Sequence, residues 1–598
     1  MPDSPPRLPF VIGVGVTGHR ARALKADTLE ELGARIRTTL KLVSASGLAL
    51  RSGCATCYDD APAILRLVSP LADGADQIAA QVALELGWQL QVVLPFDRAP
   101  YRSSLDTAAS RAEFDRLAER ATCVLELPGA DGPEHDAYVM AGRATVAHCD
   151  ILIAIWDGRP ARGRGGTAEV VQLALTRGTA VVHIAPDNGQ DMRLLWSGFD
   201  PNVLTLADQP SVARPLDQAH VDQVLTGLML PPPNAEEMAF FSRFDNERLR
   251  RIRTRIEYPL MLALAGVKRF GAKDFREQHC ADQIRDEWQA YCTGCVDAHS
   301  MSAPIAVLQS AYSWTDRLAT HFAQAYRSGH IFSFLFGGLA VCIGLSAFMA
   351  PQHKFEFAAG ELLITFAIIL NAWVGTRNEW HRRWLDYRQL AERLRPMRSL
   401  KLLGIAAPDP PGTATNPVPL RWIDWYAAGI WRAIGCPSGS LDRAGAARLA
   451  VSIADHEIAP QVSYHRRHAE QIQLLDHRLE SIGFSLFLAT LIVSIVTMVG
   501  IAANSVFVNQ YGNWFTLVSA GFPALGTAVF GIRFQADFGG DALRSLATAN
   551  TLGQIDQEMR HDVSLSRAAD LTEQASRVML SDLDEWRLVN QQRDLSVG

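Results

Sequence analysis

The sequence predicts an α/β domain built on a doubly wound, Rossmann-like parallel sheet, followed by an all-α membrane domain whose four apolar helices form two hairpins. Three observations carry this. Short apolar runs alternate with helical stretches over residues 10–186. Four runs of about 20 residues, three of them uncharged, crowd the second half of the chain. Lys and Arg gather on one side of those runs.

The predicted strands are 10–16, 64–68, 90–94, 123–127, 151–156 and 180–184, with helical stretches at 28–43, 75–86, 112–120, 138–148 and 167–176. Runs this short, separated by helices, fit a parallel sheet covered on both faces. Such sheets bind ligands beyond the carboxyl ends of their strands. Residues 1–186 therefore read as one ligand-binding domain, and 187–234 as a linker closed by Pro231-Pro232-Pro233. Residues 235–328 read as a cytoplasmic helical region. Its apolar stretch at 258–267 is too short to cross a bilayer and reads as a core helix.

The predicted spans are 331–350, 357–375, 482–503 and 512–532, with Glu361 their single charge. They place a first hairpin module at 329–401, a cytoplasmic connector at 402–459, and a second module with a C-terminal cytoplasmic helix at 460–598. Arg377, Arg382, Arg383, Arg388, Arg393, Arg395, Arg398 and Lys401 follow the second span. Arg466, Arg467 and Arg478 precede the third, and Arg533 and Arg544 follow the fourth. The loop at 351–356 has only Lys354 as a base, and the loop at 504–511 has no charge. The bias predicts a multi-pass protein of the inner (plasma) membrane with both termini in the cytoplasm. The first residues lack the basic and apolar stretches of a signal peptide.

Each half repeats one plan, a polar helix, two spans and another polar helix. The first exit helix carries Trp380, Trp384, Tyr387, Ala391 and Leu394, and the second entry helix carries Ala469, Ile472, Leu475 and Leu479. These stripes either pack within one subunit or extend the spans into a stalk or oligomer contact. Glu361 and Asn371 are candidate pore-lining groups, because polar groups in spans usually face a bundle interior or water.

A net charge of −6 argues against a nucleic-acid partner. Cys54 and Cys57 lie far from Cys292 and Cys295, so the two CxxC pairs read as reduced structural thiols; no metal site is expected. The chain lacks GxxxxGK[ST], HExxH and a GxSxG elbow, which argues against an NTPase, a zincin or an α/β-hydrolase.

Three loops carry the candidate chemistry. Gly13-Val-Gly15-Val-Thr17-Gly18-His19-Arg20 matches GxGxxG in letters, but Gly13 falls inside the strand and the helix starts only at Asp27 or Thr28. A dinucleotide site is therefore not expected there. Ser69-Pro-Leu-Ala-Asp73-Gly74-Ala-Asp76 leads into a helix whose free N–H groups suit an anion. Trp156-Asp157-Gly158, then Arg162-Gly-Arg164-Gly165-Gly166-Thr167-Ala-Glu169, offers a stacking face, a glycine cradle, a hydroxyl and a helix-start carboxylate. The plain readings are a capping carboxylate for Glu169 and a solvated loop for Arg162 and Arg164.

Together these loops resemble those of the SLOG superfamily, which includes the LOG cytokinin-activating proteins and DNA-processing proteins. The glycine run is similar to the LOG signature PGGxGTxxE, without its Pro and with a shorter approach to Thr167. The membrane half resembles the SLATT group through Trp380-His-Arg-Arg-Trp384-Leu-Asp-Tyr387-Arg388 and Tyr464-His-Arg-Arg-His468-Ala-Glu470. The resemblance implies a bacterial antiviral effector. It would bind a nucleotide-derived signal through Thr17, Gly18, His19, Arg20, Ser69, Asp73, Gly74, Asp76, Trp156, Gly165, Gly166, Thr167 and Glu169. It would then permeabilise a bilayer as a homo-oligomer, with no cofactor required. The alternative it implies is a membrane-anchored nucleotide hydrolase with Glu169 and Arg20 at the reacting centre. A transporter would rest on Glu361 alone.

Overall fold

The computed structural model describes residues 4–25, 28–129, 134–159, 165–186, 191–199, 213–248, 255–271, 274–275, 286–289, 291, 302–409 and 420–590. Its N-terminal part is a nine-stranded mixed sheet. The strands are β1 (Val11–Gly18), β2 (Ile64–Ser69), β3 (Gln89–Leu94), β4 (Cys123–Glu126), β5 (Ile151–Ile155), β6 (Ala180–Ile184), β7 (Arg193–Leu195), β8 (Ala213–Pro215) and β9 (Gly439–Ser440). They lie in the order β8-β7-β6-β5-β1-β2-β3-β4-β9. All neighbours are parallel except β6–β7 and β7–β8. The strand order reverses between β1 and β5, opening a crevice at their carboxyl ends.

The helices before the membrane half are α1 (Leu29–Gly53), α2 (Ala75–Glu85), α3 (Arg98–Ser103), α4 (Ala108–Glu119), α5 (Glu134–Ala147), α6 (Thr167–Thr176), α7 (Gln218–Met229), α8 (Ala235–Asp245) and α9 (Glu257–Leu264). Both faces of the sheet are covered. Leu152 and Ala154 of β5 pack with Val146 of α5 and Val170 and Ala174 of α6. Ile151, Ile153 and Ile155 point the other way, into a core shared with Ile36 and Leu40 of α1 and Val224 of α7. The period-2 alternation of strand side chains sorts them.

The glycines of β1 are explained by helix packing. A Cβ on Gly13 would lie 2.8 Å from the His148 carbonyl oxygen, and one on Gly15 would lie 2.8 Å from Cys149 Sγ. The end of α5 and the residues just after it rest directly on this strand.

Two departures from the sequence reading concern the sheet edges. The stretch read as linker contributes β7, β8 and α7, and its antiparallel strands cover β6. The connector contributes β9, whose Gly439 pairs with Leu125 and so covers the β4 edge. Short strands that blunt an edge are a common defence against unwanted pairing. A third departure is the first CxxC pair: Cys54 and Cys57 are joined as a disulfide, not held as two thiols. Cys292 and Cys295 lie outside the described residues.

The membrane half comprises α10 (Ser302–Ser346), α11 (Lys354–Arg377), α12 (Trp380–Leu394), α13 (Met397–Leu403), α14 (Trp422–Ile434), α15 (Arg443–Ile453), α16 (Ala459–Ala502), α17 (Val506–Gln510), α18 (Gly512–Ala536), α19 (Phe538–Met559) and α20 (Leu565–Asn590). Four helices are long and apolar enough to cross a bilayer. Their walls expose Phe366, Trp373, Phe484, Leu491 and Ile495, among other large apolar side chains, as a lipid solvent requires. The two entry helices α10 and α16 run 45 and 44 residues without a break. At 1.5 Å per residue each is roughly 65 Å long, twice a hydrocarbon core. Their amino-terminal halves are therefore built into the rest of the molecule.

Both apolar stripes pack within the subunit. Tyr387, Leu390, Ala391 and Leu394 are buried in the large core that also holds β1, α1 and α14. Ala469 is buried too, and Ile472, Leu475 and Leu479 pack against Ile532, Phe538 and Ala542. The arginines of α12 and α13 are ion-paired: Arg382 with Glu237 and Asp386, Arg383 with Glu247, Arg393 with Asp424, Arg398 with Glu457.

The two modules share a joint that the sequence did not announce. After each returning span the chain makes one residue of left-handed backbone, Glu379 (φ 50°) and Asp537 (φ 47°), before an aromatic residue opens the exit helix. Left-handed backbone is costly for a residue with a Cβ. Its recurrence at matching places supports the architectural repeat.

Candidate ligand site at the carboxyl ends of the strands

The three candidate loops meet at the crevice between β1 and β5. Gly18 ends β1 so close to its neighbours that a Cβ there would lie 2.5 Å from Ala75 Cβ and 2.9 Å from Ile155 Cβ. His19 donates its N–H to the Ile155 carbonyl at 3.2 Å, and Ala21 donates to the Asp73 carbonyl at 3.1 Å. Gly74 sits at φ 97° with the backbone of Arg20 and Ala21 pressed against it. Only glycine tolerates both demands. Leu71, fully buried, also takes a positive φ of 56°, unfavourable for a bulky side chain, so this turn holds backbone strain.

Arg20 is the best-placed charge. Its Nη2 donates to Tyr138 Oη at 2.8 Å, and its Nη1 lies 3.9 Å from Asp73 Oδ1. The side chain remains 24% exposed. Burial opposes its charge, but Tyr138, Tyr101 and Asp73 together raise its pKa. The guanidinium is thus fixed in direction, permanently charged and open to solvent, the state needed to recognise a phosphate or carboxylate.

Beneath it lie two buried carboxyl groups. Asp73 is 1% exposed, and neither of its carboxylate oxygens has a hydrogen-bond partner. Burial raises its pKa, Arg20 lowers it, and nearby Asp106 raises it again. Asp76 is pushed up to about 8, chiefly by burial, with the Asp73 charge adding to the effect. At neutral pH it is a carboxylic acid. Tyr101 is buried beside it, and its phenol stays protonated because burial and Asp76 drive its pKa well up. These groups support Arg20 from below rather than lining an open surface.

The third loop approaches from the other side. Gly165, at φ 80°, packs against Tyr138: a Cβ on Gly165 would lie 2.9 Å from the Tyr138 Cβ. The tyrosine that holds Arg20 thus also seats the turn before α6. Gly166 is the N-cap of α6 and supplies no side-chain cap, and the first turn of the helix carries the carboxylate of Glu169. Thr167 opens the helix, half-buried. His19 faces Asp157 at 3.9 Å across the crevice.

Several expected ligand residues are placed otherwise. Ser69 is buried, and its hydroxyl accepts from Leu71 N–H at 3.1 Å, shaping the loop. Thr17 lies within β1, paired in register with Ala154. Glu169 accepts from Gly165 N–H at 2.6 Å and so closes its own turn, the capping role. Trp156 donates its indole N–H to Arg159 O and leans on His183 at 5.5 Å between ring centroids. Arg162, Gly163 and Arg164 lie outside the described residues. Away from this site, Glu361 reaches toward Gly344, whose added Cβ would lie 2.7 Å from its Oε2. The Asn371 amide donates to Gly329 O and Ser333 Oγ and accepts from Arg255, tying α11 to α10.

Sequence reasoning missed Tyr101 and Tyr138. Both sit on helices that follow the carboxyl ends of strands, β3 and β4, which was the available signal. Among the described residues no group of His, Cys, Asp or Glu is arranged to hold a metal ion. Comparison of the chain with models of protein families, with curated proteins and with solved structures finds no match.

Proposed function

We propose that the chain is a membrane effector that senses a nucleotide-derived anion through its cytoplasmic sheet domain and answers by permeabilising the bilayer as an oligomer. The SLOG-like and SLATT-like motifs suggest a place in bacterial antiviral defence at the inner membrane, with both termini cytoplasmic. The observation that carries the reading is Arg20, aimed by Tyr138 and Asp73 at the point where the strand order reverses, with the same Tyr138 seating the turn that opens α6. A fixed guanidinium and a helix N-terminus form a phosphate-type site. Arg20 would take the anion, and the turn at Gly165 and Gly166 would let it approach the backbone.

A path toward the spans supports the effector part. The far end of α6 carries Arg177, which bonds Glu573 of α20 at 2.5 Å. The same carboxylate accepts the Ala407 N–H at 3.1 Å and faces Arg143 of α5 at 3.8 Å. A ligand that favours one position of α6 would thereby bias the C-terminal helices, provided its affinity differs between the two arrangements.

Dye release from liposomes containing the full chain, measured with and without nucleoside mono-, di- and cyclic phosphates, tests the proposal. Release is expected only with a ligand that binds, and Arg20→Ala should weaken that binding by about tenfold or more. Binding without release under every such ligand would refute the effector role. Conversion of the ligand to products would point to the hydrolase instead.

A further inference from the structure

The opposite end of the sheet holds a second concentration of charge that the ligand site does not use. At the amino ends of β1 and β2 a small pocket is closed by Arg66, His148 and Asp150 on the sheet side and by Lys401, Trp431 and Arg432 from α13 and α14. Its interior has room for about one or two water molecules.

The charges in its wall do not balance. Three bases face one carboxylate, and that carboxylate is fully used: Asp150 Oδ1 takes Arg432 Nε at 2.6 Å, and Oδ2 takes the Gly13 N–H at 2.9 Å. Arg66 spends its donors on neutral oxygens, Arg432 O at 2.8 Å and Gln89 Oε1 at 3.3 Å. Lys401, 1% exposed, has its Nζ 3.0 Å from His148 Nδ1 and 3.5 Å from the centre of the Trp431 ring. His148 Nε2 bonds Gly404 O at 2.9 Å, which places its proton there and leaves Nδ1 as an acceptor. The thiols at this seam supply no charge, because burial drives Cys149 and Cys436 up. Among the described residues neither Arg66 nor Lys401 lies within 4 Å of a carboxylate.

Buried cations are ordinarily paired, since an uncompensated charge in a low-dielectric interior is costly. Burial drives the Lys401 amine well down despite the opposing pull of Asp150, and does the same to His148, so an anion beside Nζ is what would hold the lysine charged. We propose that the seam between sheet and connector binds a small inorganic anion, of chloride size, between Lys401, Arg66 and Arg432. The pocket's size selects against phosphate and nucleotides. Because its walls come from both sides of the seam, a bound anion fastens α13 and α14 to the sheet.

The full chain in detergent tests this by thermal unfolding at constant sodium concentration, with gluconate replaced stepwise by chloride or bromide. The wild type should gain about 3 °C or more, saturably, because a ligand that binds the native state stabilises it. Lys401→Met should abolish the dependence. Equal midpoints in gluconate and chloride, or an unchanged dependence in the variant, would overturn the proposal. Should that variant not fold, half-exposed Arg66→Gln provides the second arm. An increase of about fivefold or more in the chloride concentration at half-effect supports the site, and an unchanged value counts against it.

Discussion

The two helical modules have the same plan and very different surroundings. In the first, α10 and α12 belong to the large core: Leu308, Ala311, Trp314, Leu318 and Phe322 on one helix, and Tyr387, Leu390 and Leu394 on the other, are buried with the strands and α14. In the second, α16 gives that core only Val462 and buries Ile472, Leu475 and Leu479 in a smaller cluster with Ile331 of α10 and Ile532 of α18. Its apolar end is exposed on most sides, and only α19 and α20 return to the large core, through Leu552, Ile555, Met559 and Leu571. The first module thus joins the large core through both its entry and exit helices, the second chiefly through the helices that follow its spans. The comparison teaches that an architectural repeat need not be an energetic one.

Five substitutions test this contrast. The largest effect is expected from Arg398→Ala at the root of the first module. It strips the partner from buried Glu457 and should cost about 3–5 kcal/mol in chemical denaturation. Leu475→Ala in the second module should cost about 2–4 kcal/mol. Because its cluster is the smaller one and contains no strand residue, the loss should appear as a local transition in hydrogen exchange, leaving the sheet domain protected. If Leu475→Ala unfolds both parts together, the contrast is wrong.

Glu379→Gly and Asp537→Gly relieve left-handed backbone while removing the exposed pair with Arg243 and the pair with Arg544. Both should shift stability by less than about 1 kcal/mol and with the same sign. Opposite signs would mean that the two joints are not equivalent. The smallest effect is expected from Ile495→Ala, on the exposed wall of α16. If that wall faces lipid the change should be below about 0.5 kcal/mol in unfolding measured in bilayers; a larger loss would reveal a protein contact.

What the sequence showed and what it hid follow from the range of the interactions. The six central strands were legible because each is a short apolar run between helices, and the four apolar helices because length and lack of charge suffice. The Gly13 and Gly15 pattern was legible as a pattern, but the packing of α5 against β1 that requires it was not. The arginines of α12 showed as positive charge, while their acidic partners, Glu237 and Glu247, stand more than a hundred residues away. At the candidate site, the meeting of the β1 and β2 loops was legible because turns are coded locally by Gly74 and its neighbours. Tyr138 was missed because its contact with Arg20 spans 118 residues.

The strand β9 carries one more consequence, in the timing of assembly. It is made of residues 439–440, yet it closes an edge of a sheet whose other strands all lie before residue 216. During synthesis α10 and α11, the first apolar pair, emerge between the two. The β4 edge therefore stays open until that pair has been produced and the chain has come back to the sheet. The last strand of the sheet is thus supplied only after the first apolar pair has been made.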